Sequence, residues 1–312
     1  MSRYTADAAR FFARAVVMPN TIPPIINPGD VIRYRKAIIN SGSGFEPLMT
    51  FKITPSSLPE DIAELKKAGA VAGKYYPAGV THNSEDGISD IKTIEPILRE
   101  MEKNSIVLSI HGENPSAPCL EREKAFLPEL EYIAGEFPGL KIVLEHISTK
   151  EGIDTVLSLP ENTAGSITVH HLLFTLDDLL GGKLNPHLFC KPVVKTNRDR
   201  EAIRNAVFSG NRKFFFGSDS APHLKKQKRE GAAGIYSSPL AIPLLTDLFE
   251  KAGKLELLES FVSKHGAEFY GLSLNKGTIT LCKKAWTVPK ICHGVVPIMA
   301  GKIINWQMDI NR

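Results

Sequence analysis

Cysteine is scarce in this sequence, with four residues in 312 and no Cys-x-x-Cys spacing. So few thiols exclude a disulfide framework and fit a reducing compartment. No uninterrupted apolar run approaches the ~18 residues that a membrane span needs, and the first residues lack the apolar core of a signal peptide. We therefore expect a cytoplasmic protein with no membrane partner.

An excess of charge of one sign is also missing. Lys and Arg total 38 against 34 Asp and Glu, which gives a net charge of +4. So weak a global field gives no reason to expect a nucleic-acid partner. The basic run at residues 225–229 predicts a solvated loop. The composition, 43% hydrophobic and 23% charged, is that of a globular chain able to bury a sizeable core.

Short apolar runs that favour strands alternate along the chain with segments of helical spacing. Seven such runs occur, at residues 15–18, 48–53, 70–75, 106–110, 141–145, 166–169 and 213–216. This alternation predicts a parallel sheet, because parallel neighbours need the crossover connections that helices supply. Further helices are predicted at 238–252 and 255–270.

Polar side chains that can do chemistry follow most of these runs. A (β/α)8 barrel draws its catalytic groups from the carboxyl ends of several strands, which surround one mouth. A nucleotide-binding sheet would instead show a Gly-rich turn after its first strand, and none is present. We therefore predict an α/β fold, a TIM-type (β/α)8 metal-dependent hydrolase barrel over residues 1–275, with a C-terminal extension over 276–312. Barrel closure takes eight strands, so seven runs predict that the first strand is missing from this chain.

Four of the side chains at the strand ends suit a metal site. His111 and His146 each end a run, and Asp219 adds a carboxylate whose burial would be costly without a cation. These are ligand types of Zn2+ or a similar divalent ion. Lys74 conflicts with them as an ammonium, but its carbamate would carry a carboxylate able to bridge two metals. Taken singly, each residue type favours a structural role, as a hydrogen-bonded histidine or a lysine at a barrel rim. Two histidines on adjacent strands shift that balance towards a metal site.

Six motifs resemble, in order and spacing along essentially the whole chain, those of the dihydroorotases. The similarity is to the single-domain bacterial and fungal type within the amidohydrolase superfamily. The motifs are Met18-Pro19-Asn20, Lys74-Tyr75-Tyr76-Pro77-Ala78-Gly79, His111-Gly112-Glu113, Leu144-Glu145-His146-Ile147-Ser148-Thr149-Lys150, Cys190-Lys191-Pro192 and Gly217-Ser218-Asp219-Ser220-Ala221-Pro222-His223. The resemblance implies a zinc-dependent hydrolase of cyclic amide bonds, which interconverts N-carbamoyl-L-aspartate and L-dihydroorotate in pyrimidine biosynthesis. It also implies two Zn2+ per subunit and a small-molecule substrate. A homodimer is compatible with it.

The same resemblance assigns metal-binding roles by position. Lys74 would be the carbamylated bridging ligand, and His111 and His146 would hold one metal. Asp219 would bind the other metal and act as the catalytic proton shuttle.

Substrate-binding roles follow in the same way. Asn20 and His223 match positions that bind the substrate carboxylate. Thr81 lies in the segment 79–83, which matches a loop that closes over the substrate and contacts it. Backbone groups near Lys191 and Ala233 match positions that contact the pyrimidine ring.

Two departures from the family pattern keep other hypotheses open. The family carries a His-x-His pair with a nearby Arg at the end of its first strand, and no such motif precedes Ala15; His82 stands where the loop usually has a second Thr. In the first hypothesis, Met1 is an internal start and the full gene product is a competent binuclear enzyme. Alternatively, the chain is a compromised barrel that keeps at most one metal and serves as a binding or scaffold subunit. A third hypothesis is a related cyclic amidohydrolase such as a hydantoinase or dihydropyrimidinase.

Overall fold

The computed structural model describes residues 2–42, 44–80 and 86–309. They divide into two compact units, Met1–Ile147 with Glu151–Ser166, and Ser148–Lys150 with Ile167–Arg312. Nine strands are present in these ranges, seven of them at the predicted runs. The strands are β1 (Arg14–Val17), β2 (Glu46–Lys52), β3 (Ala70–Tyr75), β4 (Val107–Ile110), β5 (Ile142–Leu144), β6 (Thr163–Ile167), β7 (Phe214–Phe216), β8 (Leu281–Thr287) and β9 (Ile303–Met308).

The first unit contains a parallel sheet in which β1 to β6 follow one another in chain order. Each strand pairs in parallel with the next one along the chain. One row of the register runs from Lys52 to Lys74, Ser109 and Val143. Because all strands run in the same direction, their carboxyl ends share one edge of the sheet, where the predicted site residues of this unit follow.

Helices connect these strands, as the alternation in the sequence predicts. The connecting helices are α2 (Pro28–Ile39), α3 (Asp61–Lys67), α4 (Glu95–Lys103), α5 (Arg122–Glu136) and α6 (Lys150–Ser158), with a 3-10 turn at Ile91–Ile94, and α1 (Ser2–Ala9) precedes β1. The N-terminus of α2 has a capping residue and a proline in its first turn. Pro28 stands in its first turn, and the Asn27 side chain accepts a hydrogen bond from the Asp30 amide at 3.0 Å.

The strands of this sheet from β2 to β6 are largely covered on both faces, while β1 is half-buried. Every residue of β4 and β5 is buried, as are Met49 and Phe51 of β2 and Ala72 of β3. Near-continuous apolar runs therefore occur here for the reason predicted, since neither face of the strand meets water.

The second unit contains the remaining helices and strands. The helices are α7 (Val169–Leu173), α8 (Leu176–Leu180), α9 (Asn197–Phe208), α10 (Lys225–Arg229), α11 (Ala241–Lys251) and α12 (His265–Phe269). β8 and β9 pair in antiparallel fashion within the predicted C-terminal extension. The boundary at residue 275 stays a prediction.

Two sequence-based predictions of helices and strands need correction. The sixth strand was expected at 166–169, but β6 ends at Ile167 because the Thr168 side chain accepts from the His171 amide at 3.2 Å and caps α7. The helix expected over 255–270 is broken into a 3-10 turn at Leu255–Leu257, a π turn at Ser260–Lys264 and α12. In the π turn, Phe261 is buried against Phe249, with ring centroids 5.7 Å apart. Among the described residues, no helix is long and apolar enough to cross a membrane.

Candidate active site

Three of the four predicted metal ligands lie in the first unit at the ends of neighbouring strands. Lys74 is the fifth residue of β3, while His111 and His146 follow β4 and β5. All three are buried, with relative exposures of 2%, 2% and 7%. The rings of His111 and His146 meet edge to face with centroids 4.7 Å apart. The Lys74 ammonium lies 5.4 Å from the Tyr76 ring centroid, and that centroid lies 6.2 Å from His111.

A buried carboxylate orients His111. Its Nε2 lies 2.8 Å from Oε2 of Glu113, and both side chains are almost fully buried. Since a carboxylate oxygen accepts, Nε2 carries the proton and Nδ1 is the nitrogen that would bind a metal. A histidine that donates its other ring N–H to a carboxylate is the common arrangement of metal-binding histidines.

A second carboxylate, Glu145, ties three strands together beside His146. Ser109 of β4 and Ser166 of β6 each donate a hydroxyl to it at 2.5 Å. Ser166 in turn accepts from the His146 amide at 2.8 Å. His146 adopts φ +45°, in the left-handed region that non-glycine residues rarely occupy. The network therefore holds His146 in a strained backbone conformation.

The predicted site residues in the second unit lie on three segments, and those at 219–223 and 233–235 pair with each other. Asp219 is exposed, and it also has a positive φ, +39°. The next residue, Ser220, bridges to Ile235, and the Ala221 amide donates to the Ile235 carbonyl at 3.0 Å.

Gly234 explains how closely these two segments approach. A Cβ added at this position would lie 2.5 Å from Ala221 Cβ and 2.9 Å from Cδ2 of His223. Glycine is therefore required, and its absent side chain brings Ala233 next to the segment that carries His223. The Gly234 amide also donates to the Phe189 carbonyl at 2.9 Å. This hydrogen bond places the segment that contains Lys191 next to Gly234. His223, Lys191 and Ala233 are all half-buried.

A buried lysine holds the same segments. Lys228 Nζ donates to the carbonyls of Phe189, Ala232 and Gly234, each at 2.8 Å. Its relative exposure is 4%, and burial lowers its pKa to about 8. The prediction of a solvated loop was therefore wrong for this part of the basic run. Residues Lys225–Arg229 form α10, and Lys228 turns inward because it alone meets three carbonyls.

The remaining predicted site residues are Asn20 and Thr81. Asn20 lies three residues beyond β1, at the carboxyl end of that strand, and is half-buried. Thr81 and His82 lie outside the described residues.

Sequence analysis missed the supporting residues Glu113, Glu145 and Lys228. The two glutamates were visible as parts of the motifs around His111 and His146. A carboxylate two residues after a predicted histidine ligand, or directly before one, is a signal that could have identified them. No pattern in the sequence marks Lys228 as different from the lysines beside it.

Comparison with known proteins agrees with this arrangement. The sequence model of the amidohydrolase family matches residues 26–293, and the chain belongs to that family. Several relatives of the chain carry the name dihydroorotase. The protein of that name from Shewanella putrefaciens is 42% identical over 316 residues, covering 97% of this chain and 92% of its own length.

Solved structures agree with the sequence relatives. Dihydroorotase from Campylobacter jejuni superposes with a TM-score of 0.91 at 40% identity, covering 98% of this chain and 91% of its own. Dihydroorotase from Saccharomyces cerevisiae, solved in complex with 5-fluoroorotic acid, gives a TM-score of 0.92 at 34% identity, covering 99% and 92%. The predicted family and its (β/α) barrel-like fold are thereby confirmed.

Members of this family are generally metal-dependent. The residues of the first unit fit a metal ion. Two buried imidazoles lie edge to face, one of them donates to a buried carboxylate, and a buried lysine stands on the adjacent strand. Packing alone would not require two buried imidazoles and a lysine to converge in this way, whereas metal binding does.

Proposed function

We propose that this chain is a dihydroorotase, which interconverts N-carbamoyl-L-aspartate and L-dihydroorotate in pyrimidine biosynthesis. The observation that carries the proposal is 42% identity to a dihydroorotase over 97% of the chain. The assembly of Lys74, His111 and His146 at three adjacent strand ends supports it. The substrate is a small molecule, and a cytoplasmic homodimer is part of the proposal.

Zinc is the metal we propose, with up to two ions per subunit. His111 and His146 would hold one ion, Lys74 would bridge as its carbamate, and Asp219 would bind the other. To form the carbamate, the neutral Nζ of Lys74 bonds to the carbon of CO2 and releases one proton. Zinc when bound polarises the amide carbonyl and makes water a better nucleophile.

Proton transfer is the role we propose for Asp219. In the direction of hydrolysis, its carboxylate accepts a proton from the attacking water and returns it to the departing ring nitrogen. This is general-base followed by general-acid catalysis by one group, worth roughly 10²–10⁴ in rate. The exposure of Asp219 allows it to meet substrate and solvent.

The substrate carries an anionic carboxylate on a neutral ring, and hydrogen-bond donors are needed to bind that carboxylate. We propose that the Asn20 amide and the His223 imidazole donate to the carboxylate. Backbone groups near Lys191 and Ala233 would contact the ring, with Lys228 holding both segments in place. Thr81 would contact the substrate from its loop.

The direct test measures turnover of L-dihydroorotate by the purified, zinc-loaded chain, with bound zinc counted in the same sample. We expect turnover, with hydantoin and dihydrouracil as poorer substrates. A folded chain with zinc bound but no turnover of dihydroorotate would overturn the proposal.

Two variants test the assigned roles. Lys74→Ala should lose metal and most activity, while the exposed Lys67→Ala serves as a matched control that changes neither. Asp219→Asn should keep metal but lower kcat by roughly 10²–10⁴ and change the pH–rate profile. Normal metal content in Lys74→Ala, or an unchanged pH–rate profile in Asp219→Asn, would refute the corresponding role.

A further inference from the structure

A cluster of ligand-type side chains in the second unit has no role in the proposed reaction. His170 and His171 lie in α7, directly after β6, and Cys190 lies in the segment that follows a 3-10 turn at Pro186–Leu188. Their ligand atoms lie within 4.8 Å of one another, and the relative exposures are 0%, 2% and 1%. None of the three belongs to the ligand set proposed for the reaction.

His170 gives the strongest indication that this cluster binds an ion. Its side chain is completely buried, and neither ring nitrogen has a hydrogen-bond partner among the described residues. A buried polar group without a partner costs free energy, so native structures rarely leave one. Burial, together with the charge of His171, lowers the pKa of His170 well below its usual value. The imidazole is therefore neutral, the form that binds a metal.

The two other ligand atoms converge on a single carbonyl. His171 Nε2 lies 3.2 Å from the Pro192 oxygen, and Cys190 Sγ donates to the same oxygen at 3.2 Å. Because a carbonyl only accepts, both atoms direct a proton at one point. A cation bound between them would displace both protons: the thiol proton would pass to solvent and the imidazole proton to Nδ1, so that a neutral nitrogen and a thiolate face the cation.

Thr168 can support that exchange. Its hydroxyl lies 2.8 Å from Nδ1 of His171. When a metal takes the place of the proton on Nε2, Nδ1 becomes the protonated nitrogen and donates to the Thr168 oxygen. Such a second hydrogen bond fixes the ring orientation of a ligating histidine.

We propose that His170, His171 and Cys190 form a metal site for a thiophilic divalent cation such as Zn2+. Two imidazoles and one thiolate are ligands that such ions prefer, and three protein ligands occur in zinc sites with an open fourth position. In a tetrahedral zinc site, ligand atoms stand roughly 3.4–3.6 Å apart. The cluster therefore needs to contract by about 1 Å to enclose the ion.

Lys228 affects the charge of this site. It interacts electrostatically with Cys190, and its ammonium favours the thiolate.

The test uses the full chain, stripped of metal by a chelator and titrated with Co2+. Cobalt bound to a thiolate gives a charge-transfer band in the near ultraviolet, which cobalt bound only by nitrogen and oxygen does not give. We expect this band in the parent chain and in Cys119→Ser, which alters an exposed cysteine. Cys190→Ser should lack the band and bind one equivalent less. A band that survives in Cys190→Ser, or no band in the folded parent chain, would overturn the proposal.

His170→Asn provides a second variant that does not depend on the folding of Cys190→Ser. The replaced imidazole makes no hydrogen bond among the described residues, so the substitution removes none. We expect cobalt affinity measured on the thiolate band to fall at least tenfold. An unchanged affinity would refute His170 as a ligand.

Thr168 tests the supporting hydrogen bond. Thr168→Val should weaken cobalt binding on the same band by roughly 10–100-fold, the usual effect of removing such a partner. Thr168→Ser, which keeps the hydroxyl, should restore it. Equal affinities for the two variants would show that the hydroxyl does not act on the metal. Each of these experiments measures cobalt binding on the thiolate band rather than turnover, so the outcome is independent of the proposed reaction.

Discussion

Glu145→Gln should lower the free energy of unfolding, because the Glu145 carboxylate accepts hydrogen bonds from two strands. Replacing it by Gln keeps the size of the side chain but removes its charge and one acceptor. The amide oxygen can still accept from one serine, while the amide nitrogen faces the other, whose hydroxyl must then accept instead of donate. Both 2.5 Å hydrogen bonds from Ser109 and Ser166 are weakened by this change.

The magnitude follows from the type of hydrogen bond. A bond to a charged group contributes about 1.5–3 kcal/mol and a neutral one about 0.5–1.5. Two bonds changed from the first kind to the second lower the free energy of unfolding by about 2–3 kcal/mol. With an unfolding entropy of about 2.1 cal/mol/K per residue, that loss lowers Tm by roughly 3–5 °C if the whole chain unfolds together.

Thermal unfolding followed by circular dichroism measures this loss. The control is Glu131→Gln, an exposed glutamate in α5, which should stay within about 0.5 kcal/mol of the parent chain. Ser109→Ala removes one of the two hydrogen bonds outright and should cost about 1.5–3 kcal/mol. If Glu145→Gln is no less stable than Glu131→Gln, the network does not hold the strands together.

Three further predictions concern other parts of the chain. Lys228→Met removes three charge-assisted hydrogen bonds and should cost at least about 4.5 kcal/mol and raise KM for dihydroorotate; an unchanged KM and Tm would contradict it. Gly234→Ala should cost roughly 2–5 kcal/mol in the same unfolding assay, because φ is +145° and the new Cβ would meet Cδ2 of His223 at 2.9 Å; wild-type stability would refute the close approach. Burial raises the pKa of Glu129 from 4.5, helped by Asp90 and opposed by the hydrogen bond from Tyr75. The stability that Glu129 contributes is therefore present below pH 4.5 and lost as pH rises through the raised pKa, so Glu129→Gln should flatten that part of the stability–pH curve, and an unaltered curve would argue against it.

The strands could be predicted from sequence because their signal is local. Each of the seven runs is apolar over several consecutive residues, and burial on both faces requires that composition wherever the strand lies. The end of the sixth run was misplaced for an equally local reason. Thr168 and Val169 are β-branched and favour a strand, but the Thr168 hydroxyl caps a helix instead.

The supporting contacts of the site could not be predicted in the same way. Ser109 and Glu145 are separated by 36 residues, and Lys228 and Phe189 by 39. Such pairs meet only after the strands and loops have packed. Motif spacing therefore predicts which residues carry chemistry, while the residues that hold them in place depend on tertiary contacts.

Backbone strain links the two kinds of residue. His146 and Asp219, both assigned as metal ligands by their motifs, have φ values of +45° and +39°. Each conformation costs about 1–3 kcal/mol for a residue other than glycine, and it persists only where the surroundings determine it. Glycine would remove that strain, but it would also remove the imidazole or the carboxylate. The chain therefore keeps a less stable backbone at these two positions to set the direction of a side chain, as expected for residues retained for chemistry rather than for folding. At His146 the hydrogen bond to Ser166 supplies the compensating contact, so stability and site geometry should weaken together when that bond is removed.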